Sequence, residues 1–508
     1  MPNLIRLYSC LFVSSSILLP SGRAEAKDPN QINVGWETLP RSFDPRQNTD
    51  ANSQYVESLI HCSLIQFDEK GRPVAQLAKK LPTWDATETK LKLTLREDAV
   101  FSNGKPVSPE DVLATFNSLL GDSPYLRSGA YNAVDSISAK GNEITFVLKE
   151  PDASFLPNLA LGILPKTLTK NGPVTANNVT GCGPYQIKEL SLTSLELSQN
   201  PGFKLSSKPR KNIVIKAVKS EKTRLAKLRA GELDLVQNLI NRDLVAKVSK
   251  RYPQLKVTTG PGLRTSYIGF NTKDKLLSDR RVRRAIAHAI HRAPIIKYIL
   301  SDLAEPAVSM LTKASPFFFQ PKSFANFDLK RAEALLEEAG FPKKKDGFRF
   351  SLSYKTTTNT TRVQIGKAIA SQLKKIGIKL RVEPMEWGRF SQDVKQGRVQ
   401  IWGLTWIGFK DPDILRYAFA SESFPPNGGN RGYFSNQKLD ELLRLARKTS
   451  DFEKRAAIYR SAQELIAYEQ PYVYLWHDKN FVVAKRSVQN FKMFTDGRFD
   501  GLKDTFIK

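Results

Sequence analysis

Few residues in this 508-residue chain are of a type and spacing that could carry out chemistry. Of its four histidines, His288 and His291 are three positions apart on a predicted helix and could share one face. A metal ion would need at least one further ligand, and the neighbouring arginines oppose a cation. Asp411, Asp413 and Asp440 could act as general acids, but their spacing does not identify a catalytic pair.

The motifs of the common enzyme classes are missing from the sequence. It contains no HExxH, no GxSxG, no Walker-type loop and no paired-cysteine cluster. The usual routes to hydrolysis and phosphoryl transfer therefore lack their residues. We predict that the protein is not an enzyme and that it needs no metal and no cofactor.

The N-terminus has the layout of a secretory signal. Arg6 precedes an apolar segment over residues 7–19, and Ala-Glu-Ala follows at 24–26. The segment is too short to span a bilayer comfortably, and no later stretch approaches the ~20 apolar residues of a membrane helix. We predict cleavage after residue 26 and a periplasmic protein. Cys10 lies before most of the apolar segment, which argues against a lipid anchor.

Removal of the signal would leave two cysteines, Cys62 and Cys182. An oxidising compartment would allow them to pair, although sequence alone does not show whether they approach each other. Both alternatives stay open from the sequence, and two separate buried thiols are the favoured interpretation.

The chain is strongly basic, with a formal net charge of +28. Such a charge suggests nucleic acid, acidic surfaces or an anionic ligand. The basic residues are dispersed, however, and no zinc-finger spacing, RNP-type motif or basic tail accompanies them. We therefore predict no nucleic-acid partner, and a soluble surface that favours anions.

The elements that must position any site are strands and helices in alternation, which indicates a mixed α/β chain of more than one domain. In the stretch that begins at residue 101, Ser108 suits a helix N-cap, Pro109 the first helical position, and Asp111 the positive end of the helix dipole. Gly231 suits the left-handed cap of another helix. A helix is predicted over 279–293 and a strand over 400–406.

Five stretches, taken in order, resemble segments of the periplasmic solute-binding proteins of ABC transporters, in the peptide/nickel-binding family (bacterial extracellular solute-binding family 5). They are FSNGKPVSPEDVLATF, GCGPYQI with Cys182 where threonine is usual, YIGFNTKDKLLSDRRVRRAIAHAIHR, FDLKRAEALLEEAGF and NQKLDELL. Their order covers essentially all of the chain after the signal, so the resemblance is specific although each motif alone is weak. Most of these motif residues are structural: Gly181 and Gly183 permit a tight turn, and Arg283 belongs to a packed helix.

The resemblance implies a two-lobed periplasmic binding protein fold of the α/β class, of the large type with an extra N-terminal subdomain. Lobe I would comprise residues 27–53, 171–261 and 477–508, with an inserted subdomain at 54–170. Lobe II would span 262–476. Two chain crossings would form a hinge, and closure of the lobes would bury the ligand between them.

The function implied is that of the binding component of an ABC importer, which captures an oligopeptide-like small solute and delivers it to permease subunits in the inner membrane. In peptide-binding relatives the ligand backbone pairs with a strand, and here that strand aligns with residues 400–406. The ligand-binding residues expected from it are Thr405, Trp406, Ile407, Phe409, Lys410, Asp411 and, on a separate segment, Trp387. We expect a monomer. The alternative is a secreted receptor-like module or holdase on the same fold, without transport.

The sequence departs from the family at one position that matters for the ligand. Peptide binders place an aspartate three residues after the counterpart of Trp406, where it pairs with the ligand's free amino group. Here that position is Phe409, or Gly408 if the alignment is shifted by one, and Lys410 would repel an ammonium. Asp411 could take over the role, although its place before a proline also suits a turn. We therefore predict an anionic, neutral or N-blocked peptide-like solute.

Overall fold

The computed structural model describes residues 28–170, 172, 174–240, 242–409 and 411–508. The expected signal, residues 1–26, and Lys410 of the predicted binding segment lie outside the described residues. Strands and helices alternate along the described part, as the sequence predicts. Within that part, no helix is both long and apolar enough to cross a bilayer.

Strands and helices are numbered in chain order. The strands are β1 Gln31–Trp36, β2 Ile65–Phe67, β3 Pro73–Ala75, β4 Thr83–Trp84, β5 Lys90–Thr94, β6 Val134–Lys140, β7 Glu143–Leu148, β8 Tyr185–Leu190, β9 Ser194–Gln199, β10 Asn212–Ala217, β11 Leu235–Gln237, β12 Leu255–Phe270, β13 Ala304–Pro306, β14 Phe350–Thr357, β15 Ile378–Met385, β16 Ile401–Ile407, β17 Tyr472–Lys485, β18 Val488–Gln489 and β19 Phe506–Ile507. The α-helices are α1 Ala51–Ile60, α2 Pro109–Asn117, α3 Lys166–Thr169, α4 Glu221–Ala230, α5 Arg242–Arg251, α6 Arg280–Ala289, α7 Arg292–Ile299, α8 Leu329–Glu338, α9 Thr360–Lys374, α10 Trp387–Lys395, α11 Ile414–Phe419, α12 Gln437–Arg447 and α13 Phe452–Glu469. The 3-10 helices are η1 Ser128–Tyr131, η2 Ala153–Ala160, η3 Ser421–Ser423 and η4 Asp500–Asp504.

A large mixed sheet runs through the described part of the chain, in the order β15-β14-β16-β12-β17-β11-β1-β10-β9-β8, with β13 added on β17. The long antiparallel strands β12 and β17 lie at its centre. At one end of this pair β17 hydrogen-bonds to β11, and at the other end β12 hydrogen-bonds to β16. The pair therefore connects the two halves of the sheet, each of which has its own buried apolar cluster.

Local signals in the sequence form the helix ends that they predict. The Ser108 hydroxyl accepts a hydrogen bond from the Asp111 amide, and the Asp111 carboxylate accepts one from the Ser108 amide 2.9 Å away. Pro109 occupies the first turn of α2, where its missing N–H costs nothing. Gly231 ends α4 in the left-handed conformation, with φ of 83°. These predictions are confirmed.

The single helix predicted over residues 279–293 is wrong, because the structure contains two helices there. The first, α6, ends at Ala289, and Ile290 takes an extended conformation before α7 begins at Arg292. The reason is Pro294. In a continuous helix its ring would clash with the carbonyl of Ile290, whereas in the first turn of a new helix proline is tolerated.

A break in strand pairing lies between the two halves of the sheet. The register of β12 against β17 shifts between Pro261 and Thr265 and again between Ser266 and Tyr267. Thr265 pairs there with His477, whose Nδ1 lies 2.9 Å from the threonine hydroxyl. The lobe boundaries predicted at 261/262 and 476/477 fall at this irregular segment, and the boundaries themselves stay predictions.

Acidification is expected to destabilise the protein in part through His477. Burial, with a smaller effect of nearby Lys313, lowers the pKa of His477 to about 4. An unfolded histidine titrates near ~6.5, so between these values the unfolded chain binds more protons and stability rises with pH. The stabilisation that comes from neutral His477 is fully present above pH ~6.5 and is lost as the pH falls towards ~4. At pH ~4.5 the free energy of unfolding should be lower by about 2–3 kcal/mol.

Urea unfolding at pH 7 and near pH 4.5 measures this loss. The matched variant His477→Gln cannot gain a proton, so its stability should decline less between the two pH values. Equal declines in the two proteins would contradict a histidine held neutral by burial.

A second sheet, β4-β5-β7-β6, packs with α2 and η2 around an apolar core of its own. We call residues 83–164 the small-sheet unit. Cys62 and Cys182 lie in this core and form a disulfide, with Cα atoms 5.1 Å apart. The interpretation of two separate thiols is therefore wrong. The fold pairs residues that are 120 positions apart, which no local pattern reveals.

The two glycines beside Cys182 explain how the cysteines meet. A Cβ on Gly181 would lie within bonding distance of the Ile60 carbonyl oxygen, and one on Gly183 would lie 2.6 Å from the same carbonyl carbon. The Gly183 amide donates to the Ile60 oxygen at 3.0 Å. Glycine is needed here because the backbone approaches another backbone closely, and neither glycine has a positive φ.

Candidate functional site

A cavity of about 590 Å3 lies where the small-sheet unit, α1, the C-terminal segment and the end of β16 meet. Its lining residues are Thr49, Ala51, Gln54, Tyr55, Glu57, Ser58, His61, Cys62, Ser63, Gln66, Phe67, Gln76, Arg127, Pro157, Ala160, Gly162, Ile407, Gly408, Asp496, Arg498 and Asp500. Most of the lining comes from α1, the segment that follows it, the small-sheet unit and the C-terminal segment, and the end of β16 adds Ile407 and Gly408. A space of this size between two halves of a chain is typical of a small-molecule site.

One charged wall of the cavity is the ion pair between Glu57 and Arg127. Arg127 Nη1 lies 3.2 Å from Glu57 Oε1 and 3.3 Å from Oε2. The carboxylate also accepts from the Asn48 amide group and from the Gly162 amide, at 3.0 and 3.1 Å. Glu57 is therefore fully bonded. Its role is to hold α1, the small-sheet unit and the cavity wall together.

A second charged wall comes from the C-terminal segment. Arg498 Nε lies 3.3 Å from Asp500 and 3.7 Å from Asp496, and its guanidinium also donates to the Phe67 carbonyl. The hydroxyl of Ser58 on α1 donates to Asp500 at 2.6 Å. The segment is thus fixed against the first half of the chain by charge-assisted hydrogen bonds.

Neutral donors and acceptors complete the polar lining. The Tyr55 hydroxyl donates to the Asp496 carbonyl at 3.3 Å. Burial and nearby Asp496 raise the pKa of Tyr55, so the hydroxyl stays protonated at neutral pH. Gln76 accepts from the Ser63 amide at 2.8 Å through its side-chain oxygen, which leaves its side-chain nitrogen as a donor. Groups of this kind suit the amides of a peptide-like ligand.

The opposite wall of the cavity is the end of β16. Ile407, the last residue of the strand, is 67% exposed and lines the cavity together with Gly408. Thr405 precedes it on the same side of the pleat and shares a hydrogen bond of 3.0 Å with Ser266 of β12. The Gly408 amide donates to the Leu263 carbonyl at 2.8 Å, which fixes the chain as it leaves the strand.

Trp406 lies in an aromatic cluster beside this wall. Its ring stacks on Tyr267 at 6.0 Å and meets Tyr417 edge-on at 5.9 Å. The guanidinium of Arg431 lies 5.0 Å from the tryptophan ring. The indole Nε1 is buried and has no hydrogen-bond partner among the described residues. The tryptophan therefore braces the strand, and the lining of the large cavity does not include it.

The remaining predicted residues of this segment lie away from the large cavity. Phe409 packs on the apolar cluster of the second half, and Lys410 lies outside the described residues. Asp411 is held at both carboxylate oxygens by Arg455 of α13, at 2.8 and 2.9 Å. It also accepts from the Asp413 amide at 2.8 Å, which makes the turn that the sequence suggests. Asp411 thus has a structural partner.

Two other predicted features also lie elsewhere. Trp387 begins α10, where it is 56% exposed and lies 6.0 Å from the ring of Phe390, and the cavity lining does not include it. His288 lies on α6 and contacts the Asn326 carbonyl, whereas His291 precedes α7 and stacks on the Phe327 ring.

Most of the cavity lining was missed by sequence reasoning. Tyr55, Arg127 and the C-terminal Asp496, Arg498 and Asp500 were not among the predicted site residues. Ser58 and Asp500, which hydrogen-bond to each other, are 442 positions apart. The one signal available was the charged stretch 496–500 within a segment expected to return to lobe I.

Comparison with known proteins gives a consistent result. The family model described as bacterial extracellular solute-binding proteins, family 5, middle, matches residues 72–425. The oligopeptide-binding protein AppA of Bacillus subtilis strain 168 is 26% identical, over 93% of this chain and 91% of its own. The glutathione-binding protein GsiB of Salmonella typhi is also 26% identical, over 90% of this chain and 91% of its own.

Solved structures agree with these relatives. The periplasmic binding protein DppA of Helicobacter pylori, in complex with the peptide STSA, has a TM-score of 0.71 and 25% identity, over 94% of this chain and 98% of its own. Bacillus subtilis AppA, in complex with a nonapeptide, has a TM-score of 0.72 and 24% identity, over 94% of this chain and 99% of its own. The fold is that of two-lobed periplasmic binding proteins, as the sequence predicts.

Proposed function

The chain belongs to family 5 of the bacterial extracellular solute-binding proteins, and we propose that it captures a peptide-like solute between its lobes and delivers it to permease subunits of an ABC importer in the inner membrane. The observation that carries this proposal is the cavity of about 590 Å3, which is lined by residues of both predicted lobes. Ligand contacts to both sides would favour the closed form, since a ligand shifts the equilibrium by its differential affinity.

We place this function in the periplasm, after removal of residues 1–26, and without a chemical step. The charged groups of the cavity support a binding role, since Glu57 pairs with Arg127 and Asp500 pairs with Arg498. The one histidine of the lining, His61, has its pKa lowered by burial, and its Nε2 contacts the Phe43 carbonyl at 3.1 Å. These groups hold the walls in place.

The ligand is not a free-amine peptide held in the manner usual for the family. The position at which relatives place the amine-binding acid is Phe409 here, or Gly408 if the alignment is shifted by one. Asp411, the nearest carboxylate in sequence, already binds Arg455 through both oxygens. The carboxylates that line the cavity, Glu57, Asp496 and Asp500, also pair with arginines, so an ammonium at this end of β16 would have to compete for its counter-charge. A neutral, N-blocked or anionic peptide-like solute avoids that cost.

Matched tripeptides with free and with acetylated amino termini test this proposal. We expect acetylated tripeptides to raise the melting temperature at least as much as their free counterparts in a thermal-shift assay. Asp411→Asn should not change this order, because Asp411 acts on Arg455 and not on the ligand. A strong preference for free amines that Asp411→Asn abolishes would overturn the ligand assignment.

A further inference from the structure

A set of polar contacts joins the small-sheet unit to the C-terminal end of α12 and the residues that follow it, away from strands β12 and β17. Arg447, the last residue of α12, places Nη2 2.7 Å from Asp152 of the small-sheet unit. Lys448 Nζ lies 3.6 Å from Glu150. The Ser450 amide donates to Glu88 Oε2 at 3.0 Å. We call these three contacts the closure latch.

We propose that the closure latch holds the two lobes together when the cleft between them is closed. Within the latch, Arg447 makes the contact that contributes most. The inference rests on the proposed function, because a latch matters only to a protein that opens and closes around a ligand. The latch side chains do not line the cavity. They therefore act on the ligand through the equilibrium between open and closed forms.

The latch is connected to both walls of the cavity. On the small-sheet side, Asp152 caps η2 by accepting from the Ser154 amide at 3.0 Å, and Pro157 and Ala160 of the same helix line the cavity. Movement of η2 would therefore move the latch and the wall together. Asp152 is 6% exposed in its side chain, which removes water from its pair with Arg447.

On the lobe II side, Arg447 is linked to the turn that follows β16. The hydrogen bond to Asp152, and the charges of Asp152 and Asp413, hold the pKa of Arg447 above its ordinary value. Asp413 precedes α11 and pairs with Arg416 at 3.1 Å. Burial raises the pKa of Asp413 to about 6. Arg447 thus pairs directly with the small-sheet unit and interacts with Asp413 of the turn through its charge, while Arg416 is the ion-pair partner of Asp413.

The two ion pairs of the latch should respond differently to salt. The pair Lys448–Glu150 is 48% and 54% exposed and will be weakened by salt, since the Debye length falls to ~3 Å at ~1 M. The pair Arg447–Asp152, at 28% and 6% exposed, is screened less and should dominate. Closure is therefore strongest at low ionic strength and depends mainly on Arg447.

Distances between two spin labels test the latch without any ligand. Leu126 of the small-sheet unit and Tyr298 of α7 are both exposed, so nitroxides at Leu126→Cys and Tyr298→Cys would report the separation of the two predicted lobes in the processed chain. In the ligand-free parent protein we expect a short-distance population beside the open form at ~50 mM salt. Arg447→Gln should reduce this short-distance population at least threefold, and so should Asp152→Asn, which keeps an oxygen to cap η2. Arg444→Gln on the same helix is the control and should change nothing.

The exposed pair adds a rescue experiment. Lys448→Glu and Glu150→Lys should each shift the population towards the longer distance, and the double exchange should restore the parent distribution. Identical distributions in the parent, Arg447→Gln and Asp152→Asn would overturn the latch. If tripeptides do not bind but these variants open, the proposed ligand is wrong and the latch stands. If tripeptides bind and no variant opens, the latch alone is wrong.

Discussion

Replacing Cys62 and Cys182 together by alanine is expected to destabilise the protein by about 4–5 kcal/mol, because a cross-link over a loop of this length removes that much chain entropy from the unfolded state. The loop joins residues 120 positions apart. Both side chains are 1% exposed in the core of the small-sheet unit, so alanine leaves no buried hydroxyl there. Urea unfolding of the oxidised parent and of the double variant measures the difference.

Replacing both cysteines by alanine should also weaken ligand binding in the cavity. Cys62 lines the cavity, and its carbonyl accepts from the Ile163 amide at 2.8 Å, next to Gly162 of the wall. Parent protein reduced with a thiol is the matched control, since it has both sulfurs and no bond. It should unfold at a urea concentration close to that of the double variant. Equal midpoints for the oxidised parent and the double variant would contradict a stabilising disulfide.

Ile407→Arg is expected to lower ligand affinity by at least tenfold, or about 1.4 kcal/mol and more. The reason is steric, since Ile407 is the side chain of β16 that lines the cavity and it is 67% exposed. A long arginine there would occupy space that the ligand needs. Because the position is exposed, we expect the stability of the protein to change by only about 0.5 kcal/mol.

Isothermal titration with the tripeptide that gives the largest thermal shift measures this loss. Ile407→Leu keeps the volume of the side chain and serves as the control, with an affinity close to that of the parent. Thr405→Val tests the neighbouring position, whose hydroxyl is bonded to Ser266. Parent-like affinity of Ile407→Arg would mean that the ligand does not occupy this cavity.

The features that the sequence predicts well are those that depend on neighbours in the chain. Examples are the capping box of Ser108 and Asp111 and the left-handed cap at Gly231. Each involves residues within one helical turn, so it can be predicted from the local sequence. Pro294 is also visible in the sequence, but the helix predicted over 279–293 runs up to it, whereas α6 already ends at Ala289. The fold and family followed from five such local motifs in order.

The cavity was not predictable in the same way. Its walls depend on contacts such as Ser58 with Asp500 and Arg498 with Phe67, which join opposite ends of the chain. The disulfide is of the same kind. The family resemblance identified the strand expected to form the pocket, but the site residues that it supplied all lie in the predicted lobe II. For each residue that we predict to contact the ligand, the contact stays a prediction.

Asp411 shows why a residue type near a site does not settle its role. The sequence left open whether it binds the ligand or supports a turn. Its carboxylate accepts hydrogen bonds from Arg455 and from the Asp413 amide, so both of its oxygens already have partners. Breaking such a pair leaves a charge without its partner, which costs about 3–5 kcal/mol when fully buried. We infer that the turn, and not the ligand, uses this acid.

Native mass spectrometry of the protein as purified tests the central claim most directly, since it detects a bound solute whatever its identity. We predict a mass increase that corresponds to one small peptide-like molecule per chain, released on gentle activation. Ile407→Arg, purified in the same way, should lack it, and Ile407→Leu should retain it. The same adduct on the parent and on Ile407→Arg would contradict binding in the cavity at the end of β16, and so would a parent that stays free of ligand after incubation with the free and acetylated tripeptides.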